Sequence, residues 1–134
     1  MTKRILVVDD RETLLTLLRR VLEDEQYQVS VLQEGRDAVA RIRESVPDLV
    51  ILDLKLADAS GSDILESLRA HESTAEIPVI VYSAAVLEAE AVSNLVRGNP
   101  TRYRNVSVVL KPFELDALLE RVQQLLAAPQ ATQS

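Results

Sequence analysis

The sequence predicts a doubly wound α/β domain, a five-stranded parallel sheet with helices on both faces. Three observations carry that expectation. Short apolar runs alternate with helical patterns five times along the chain. The run Leu49-Val50-Ile51-Leu52 has no alternation, as in a central strand covered on both sides. Four of the five runs end in polar residues, namely Asp9-Asp10, Asp53, Ser83 and Lys111. In an open parallel sheet the carboxyl ends of the strands share one crevice, where ligands bind.

The elements follow in order. Ile5 to Val8 is rich in β-branched residues and reads as a buried strand. Leu14, Leu17, Leu18, Val21 and Leu22 fall at helical spacing, with Arg19, Arg20 and Glu23 opposite and Asp10 as the expected N-cap. Val29, Val31 and Gln33 alternate with Ser30 and Leu32, which suggests a less buried strand broken by Gly35. Ala38, Val39, Ile42 and Val46 mark a second helix, stopped by Pro47. The Asp53 strand follows, then a loop to Gly61 and a third helix on Ile64, Leu65 and Leu68, up to about His71. Val79 to Tyr82 is the next strand, with Pro78 at its start. Val86 to Val96 reads as a helix with Leu87, Ala91, Leu95, Val92 and Val96 on its apolar side and Glu88 and Glu90 outside. Gly98-Asn99-Pro100 ends it, and Thr101 to Asn105 reads as irregular. Val106 to Leu110 is the fifth strand, and Leu115 to Leu126 the last helix. Strand-helix alternation of this kind requires right-handed crossovers, and five strands suit the flavodoxin-like order 2-1-3-4-5.

Composition narrows the function. At 134 residues the chain is one ordinary domain, expected over residues 1–127 with a flexible tail over 128–134. The net charge of −6 argues against nucleic acid or an anionic membrane as the main partner. Without cysteine there is no disulfide, thiolate catalysis or Cys-based zinc site. The first apolar run is too short for a signal peptide, and no stretch approaches a membrane span, so the cytoplasm is the expected location.

The polar strand ends form one constellation. Strands 1, 3, 4 and 5 lie side by side in this order, which would gather Asp9, Asp10, Asp53, Ser83 and Lys111. Three carboxylates cannot sit together ionised without a cation. Carboxylates at a hydrated mouth suit Mg²⁺, a hard ion that retains part of its water shell. A divalent ion and Lys111 would balance the charge and attract a phosphoryl group, which a carboxylate can accept as an acyl phosphate.

At this point the chain resembles the receiver domains of two-component response regulators, over roughly Lys3 to Leu126. The matches are Asp9-Asp10, Asp53, Gly61 eight residues later, Ser83, and Lys111-Pro112-Phe113, each in its place after the right strand. The resemblance implies that Asp53 is the phosphoacceptor, taking phosphoryl from the phosphohistidine of a sensor kinase or phosphotransfer protein. It implies that Asp10, Asp53 and the Lys55 carbonyl bind Mg²⁺, with Asp9 acting through a metal-bound water. Lys111 would pair with the phosphoryl oxygens through a cis Lys111–Pro112 bond, and Ser83 would move to hydrogen-bond them. Added charge would shift two pre-existing conformers and be read on the fourth helix, fifth strand and fifth helix, by a downstream protein or a second copy in a homodimer.

The sequence departs from the family in three places. Leu56-Ala57 replace a usual Met-Pro, so a looser loop is expected. Val108 stands where an aromatic is usual; Tyr82 reads as a packed strand residue and Tyr103 as a surface residue of a loop. Residues 99 to 105 lengthen the connection before the fifth strand, either as a tolerated insertion or as a modified output surface. Lys55 stands where the family tunes dephosphorylation. His71, the one histidine, reads as a surface residue at a helix end. Two alternatives compete with the phosphoacceptor switch. One is a docking module independent of phosphorylation. The other is a haloacid dehalogenase-class phosphatase, which would need a second Asp where Lys55 stands. No DNA-binding or catalytic module is legible beside these elements, so the reading allows either a protein acting alone or a receiver separated from a longer chain.

Overall fold

The structure, a computed structural model, describes residues 2–110 and 115–127. Five strands, β1 (Arg4–Val8), β2 (Gln28–Leu32), β3 (Leu49–Asp53), β4 (Val79–Ser83) and β5 (Val106–Leu110), alternate with helices. The helices are α1 (Glu12–Asp24), α2 (Ala38–Ser45), α3 (Gly61–Ala70), α4 (Val86–Gly98) and α5 (Leu115–Ala127). The sheet order is β2-β1-β3-β4-β5 and every pairing is parallel. The fold expected from the alternation is the fold observed.

Burial explains the order. Every residue of β3 and of β4 is buried, so these strands take central places covered on both faces. Alternate side chains feed two cores. Leu6, Val8, Val50, Leu52, Val79 and Val81 meet α2, α3 and α4. Ile5, Val7, Leu49, Ile51 and Ile80 meet α1 and α5. Each such side chain, fully buried, contributes roughly 1.5–3 kcal/mol over its exposed state. A one-residue register slip would exchange the two cores, which fixes where the strand ends fall.

Several local expectations are corrected. The N-cap of α1 is Arg11, not Asp10, and no side chain caps that helix. Leu15 belongs to its buried face and Leu17 is exposed. Gln33 lies beyond β2. Val46 does not continue α2; it sits in the left-handed region at φ 43° and is exposed. The residue before proline is disfavoured in the helical region, and Pro47 forces that exit. Of the apolar side expected for helix α4, Val92 and Val96 do pack on the core, but Leu87, Ala91 and Leu95 do not. The helix also packs through Ala89, while Leu87, Ala91 and Leu95 face outward. Tyr103 is not a surface residue; it is 4% exposed and joins the α4-side core. His71 follows α3 and is half-buried. Among the described residues no helix is long and apolar enough to cross a membrane. The expected domain boundary at 127/128 borders residues outside those described.

Candidate functional site

Parallel pairing in register brings the ends of β1, β3 and β4 level: Val8 faces Leu52, and Asp53 faces Tyr82. One carboxylate oxygen from each of Asp9, Asp10 and Asp53 lies within 4.8 Å of the others. Asp9 is fully buried, Asp53 is 5% exposed and Asp10 is half-buried. Asp10, Arg11, Asp53, Lys55, Ser83, Ala84 and Ala85 line a cleft of about 190 Å³. Its donor set consists of hard carboxylate oxygens close enough to repel one another. That chemistry fits Mg²⁺ and gives no soft ligand for a thiophilic metal.

Backbone donors orient these acids. The Arg11 N–H donates to Asp9 Oδ1 at 2.7 Å, and Arg11 Nε lies 3.6 Å from the same oxygen. The Lys55 N–H donates to Asp53 Oδ1 at 3.2 Å. The Lys55 side chain is exposed at the rim. Ser83 is buried, and its Oγ accepts the Ala85 N–H at 2.9 Å, tying the hydroxyl to the entry of α4. Lys111, Pro112 and Phe113 lie outside the described residues, as does the expected cis bond between the first two.

The loop after Asp53 is held despite lacking proline. Leu56 is buried in the core, and Lys55 pairs with Ser60 in a short antiparallel bridge. Asp58 accepts the Gly35 N–H at 2.9 Å and the Arg36 N–H at 3.2 Å. The Gly35 N–H first, then that of Arg36, hold the Asp58 carboxyl below the usual carboxylate range. Gly61 closes the loop, its N–H donating to the Leu54 carbonyl at 2.9 Å. A Cβ on Gly61 would come 2.5 Å from both the Asp53 carbonyl oxygen and Leu54 Cα. Only glycine lets the start of α3 lie this close to the Asp53 backbone.

Residues 99–105 are anchored as well. Besides Tyr103, the buried Arg69 of α3 binds this segment. Its guanidinium donates to the carbonyls of Thr74 at 3.3 Å, Ile77 at 2.8 Å and Arg104 at 3.0 Å. Burial lowers the Arg69 pKa to about 10, so it stays charged at neutral pH. Arg104 also pairs with Glu76.

One polar contact at the site was not anticipated. Tyr82 is packed in β4 as expected, 1% exposed, but its hydroxyl donates to Asp9 Oδ2. Burial foremost, then the hydrogen bond to Asp9, push the phenol well above the ordinary tyrosine range. The sequence signal was available. A phenol at the penultimate position of a strand buried on both faces must find an acceptor, and the acidic strand ends are the nearest.

Comparison with known proteins agrees with this geometry. The response regulator receiver domain family matches residues 5–123. The phosphate regulon transcriptional regulatory protein PhoB of Rhizobium meliloti is 36% identical over 94% of the chain and 53% of its own length. The DNA-binding response regulator MtrA of Mycolicibacterium smegmatis is 35% identical over 94% of the chain and 51% of its own. The chain thus spans about half the length of these relatives. Among solved structures, the non-phosphorylated HemR receiver domain from Leptospira biflexa is similar with a TM-score of 0.80 at 29% identity, covering 96% of this chain and 98% of that one. The receiver domain of a signal transduction histidine kinase from Syntrophus aciditrophicus gives 0.82 at 26%, covering 99% and 96%. With sheet order, acidic cluster and sequence in agreement, the chain belongs to the response regulator receiver domain family of two-component systems.

Proposed function

We propose that residues 1–127 form a phosphoacceptor switch in the cytoplasm, with Asp53 as the acceptor. The observation that carries this reading is the Asp53 carboxylate, at the mouth of a cleft it shares with Asp10, Lys55 and Ser83. An Asp53 oxygen attacks phosphorus as the phosphorus–nitrogen bond of a donor phosphohistidine breaks, and the imidazole nitrogen keeps the electron pair. The donor is a sensor histidine kinase or a phosphotransfer protein. Asp10, Asp53 and the Lys55 carbonyl would hold Mg²⁺, with Asp9 acting through water, and the ion would neutralise charge on the transferring group. Lys111 pairs with the phosphoryl oxygens. The Ser83 hydroxyl donates to them and draws on the Ala85 N–H it now accepts, which carries the signal to α4. The Lys55 side chain covers the phosphoryl group and slows attack by water.

The product is a changed surface rather than a released compound, so the chain acts as a signalling switch and not a turnover enzyme. Val86, Leu87, Leu95 and Leu110 are exposed on α4 and β5 and offer an apolar output face to a downstream protein. A docking module independent of phosphorylation is the second reading. It is favoured by Val108, which packs against the α4-side core and supplies no ring to turn inward.

The test is incubation with acetyl phosphate and Mg²⁺ followed by intact-protein mass spectrometry. One added phosphoryl, lost in Asp53→Asn and without Mg²⁺, is expected. No adduct under conditions that label another receiver would overturn the switch and leave the docking module.

A further inference from the structure

Tyr82 reaches across the central strand of the sheet. Its backbone lies opposite Asp53 in the β3–β4 register, and its carbonyl accepts the Leu54 N–H at 3.4 Å. Its ring is buried on the α1–α5 side, among the core residues that include Ile5, Val7 and Ile51. Its hydroxyl ends on Asp9 Oδ2 at the end of β1. One side chain therefore links β4, across the Asp53 strand, to the most buried member of the acidic cluster.

A carboxylate oxygen that accepts a buried, charge-assisted hydrogen bond is held in one orientation and shares its charge with the donor. Asp9 Oδ1 is oriented in the same way by the Arg11 N–H. Among the described residues, the Tyr82 hydroxyl on Oδ2 and the Arg11 N–H on Oδ1 orient how Asp9 faces a cation. This favours an ion that is content with Asp9 at one remove, through its own water. Mg²⁺ keeps several waters and demands regular octahedral geometry; Ca²⁺ takes six to eight oxygens and readily adds direct carboxylate contacts.

We propose that Tyr82 is a positioning residue that sets cation preference, holding Asp9 back from direct ligation and so favouring Mg²⁺ over Ca²⁺. This rests on the reading of Asp9, Asp10 and Asp53 as the cation site. Without the phenol, Asp9 is buried with one fewer donor, and direct contact with a larger cation recovers what was lost. A hydrogen-bond donor to a charged group carries enough energy to change an affinity about tenfold.

The experiment compares Mg²⁺ and Ca²⁺ binding to wild type and Tyr82→Phe by isothermal titration calorimetry. The phenyl ring preserves the packing, and circular dichroism melts verify that the variant folds. Tyr82→Phe is expected to bind Ca²⁺ about tenfold tighter, with Mg²⁺ affinity within about threefold of wild type. In an Asp9→Asn background the same substitution should leave the Mg²⁺-to-Ca²⁺ ratio unchanged, because the effect passes through Asp9. An unchanged ratio in Tyr82→Phe, with wild-type binding that Asp53→Asn weakens, overturns the role of Tyr82 alone. Wild type that binds neither ion overturns the cation site itself and this inference with it.

Discussion

Gly61→Ala separates two opposing effects at one position. Gly61 opens α3, and its φ is not positive, so alanine suits its backbone. On chain entropy alone, Gly→Ala at such a site stabilises by about 0.4–1 kcal/mol. The new Cβ, however, would lie 2.5 Å from the Asp53 carbonyl oxygen and from Leu54 Cα, roughly 1 Å inside normal contact. Both obstacles are backbone atoms of a buried strand end and cannot rotate away. Overpacking of this kind costs about 1–3 kcal/mol. The steric effect wins, leaving a net loss of about 1–2 kcal/mol. For a domain of this size that lowers the melting temperature by roughly 3–10 °C. Thermal melts followed by circular dichroism measure it. Because the displaced atoms carry Asp53, Mg²⁺ affinity should fall as well. Gly61→Ala melting at or above wild type would refute the close-approach argument.

Other substitutions probe other parts of the structure. Arg69→Met removes a buried guanidinium that satisfies three carbonyls. It should cost about 3 kcal/mol in urea unfolding, and a loss under 1 would sink the anchoring role. Val46→Gly relieves a β-branched residue at φ 43° whose side chain is exposed. A gain of about 1 kcal/mol is expected; a loss would contradict the strain. The lowered Asp58 pKa means that this carboxylate stabilises the fold fully above its ordinary value of 3.8, and that the contribution fades as pH falls through its lower folded value. The stability gap between wild type and Asp58→Ala should therefore be widest above about pH 5 and close in stronger acid; a gap independent of pH would reject the Gly35 and Arg36 contacts as its cause. Lys55→Ala should shorten the half-life of the phosphorylated form, and an unchanged half-life would leave Lys55 a solvated side chain.

The fold and much of the site were legible because they rest on runs and ends. Uninterrupted apolar residues in Leu49–Leu52 can satisfy only a doubly covered strand, and the residues that close such runs must share an edge. Faces of helices were less legible. In α4 nearly every turn carries an aliphatic residue on more than one side, so on paper Leu87-Ala91-Leu95 is as good a stripe as Ala89-Val92-Val96, of which Val92 and Val96 were expected and Ala89 was not. Packing against β4 and β5 chose the second. The 99–105 segment was illegible because its anchors are remote: Tyr103 fills a core built by other elements, and Arg69 is 35 residues from the Arg104 carbonyl it binds. The Asp9 contact of Tyr82 spans 73 residues: the need of a buried phenol for an acceptor was legible, but which carboxylate supplies it was not.

The Arg69 clasp has a mechanical consequence. It fastens the approaches to β4 and β5 at the sheet edge opposite the acidic cleft, where Tyr103 also pins the chain leaving α4. Helix α4 runs from this anchored edge to the Ser83 end of the cleft, where the Ala85 N–H holds the Ser83 hydroxyl. Its 13 residues make an arm of about 20 Å. A tilt of about 10° then sweeps Val86 and Leu87 through roughly 3 Å while Tyr103 stays seated. A pull at the Ser83 hydroxyl would act at the same end of the helix as the exposed Leu87, so the displacement would be delivered there directly.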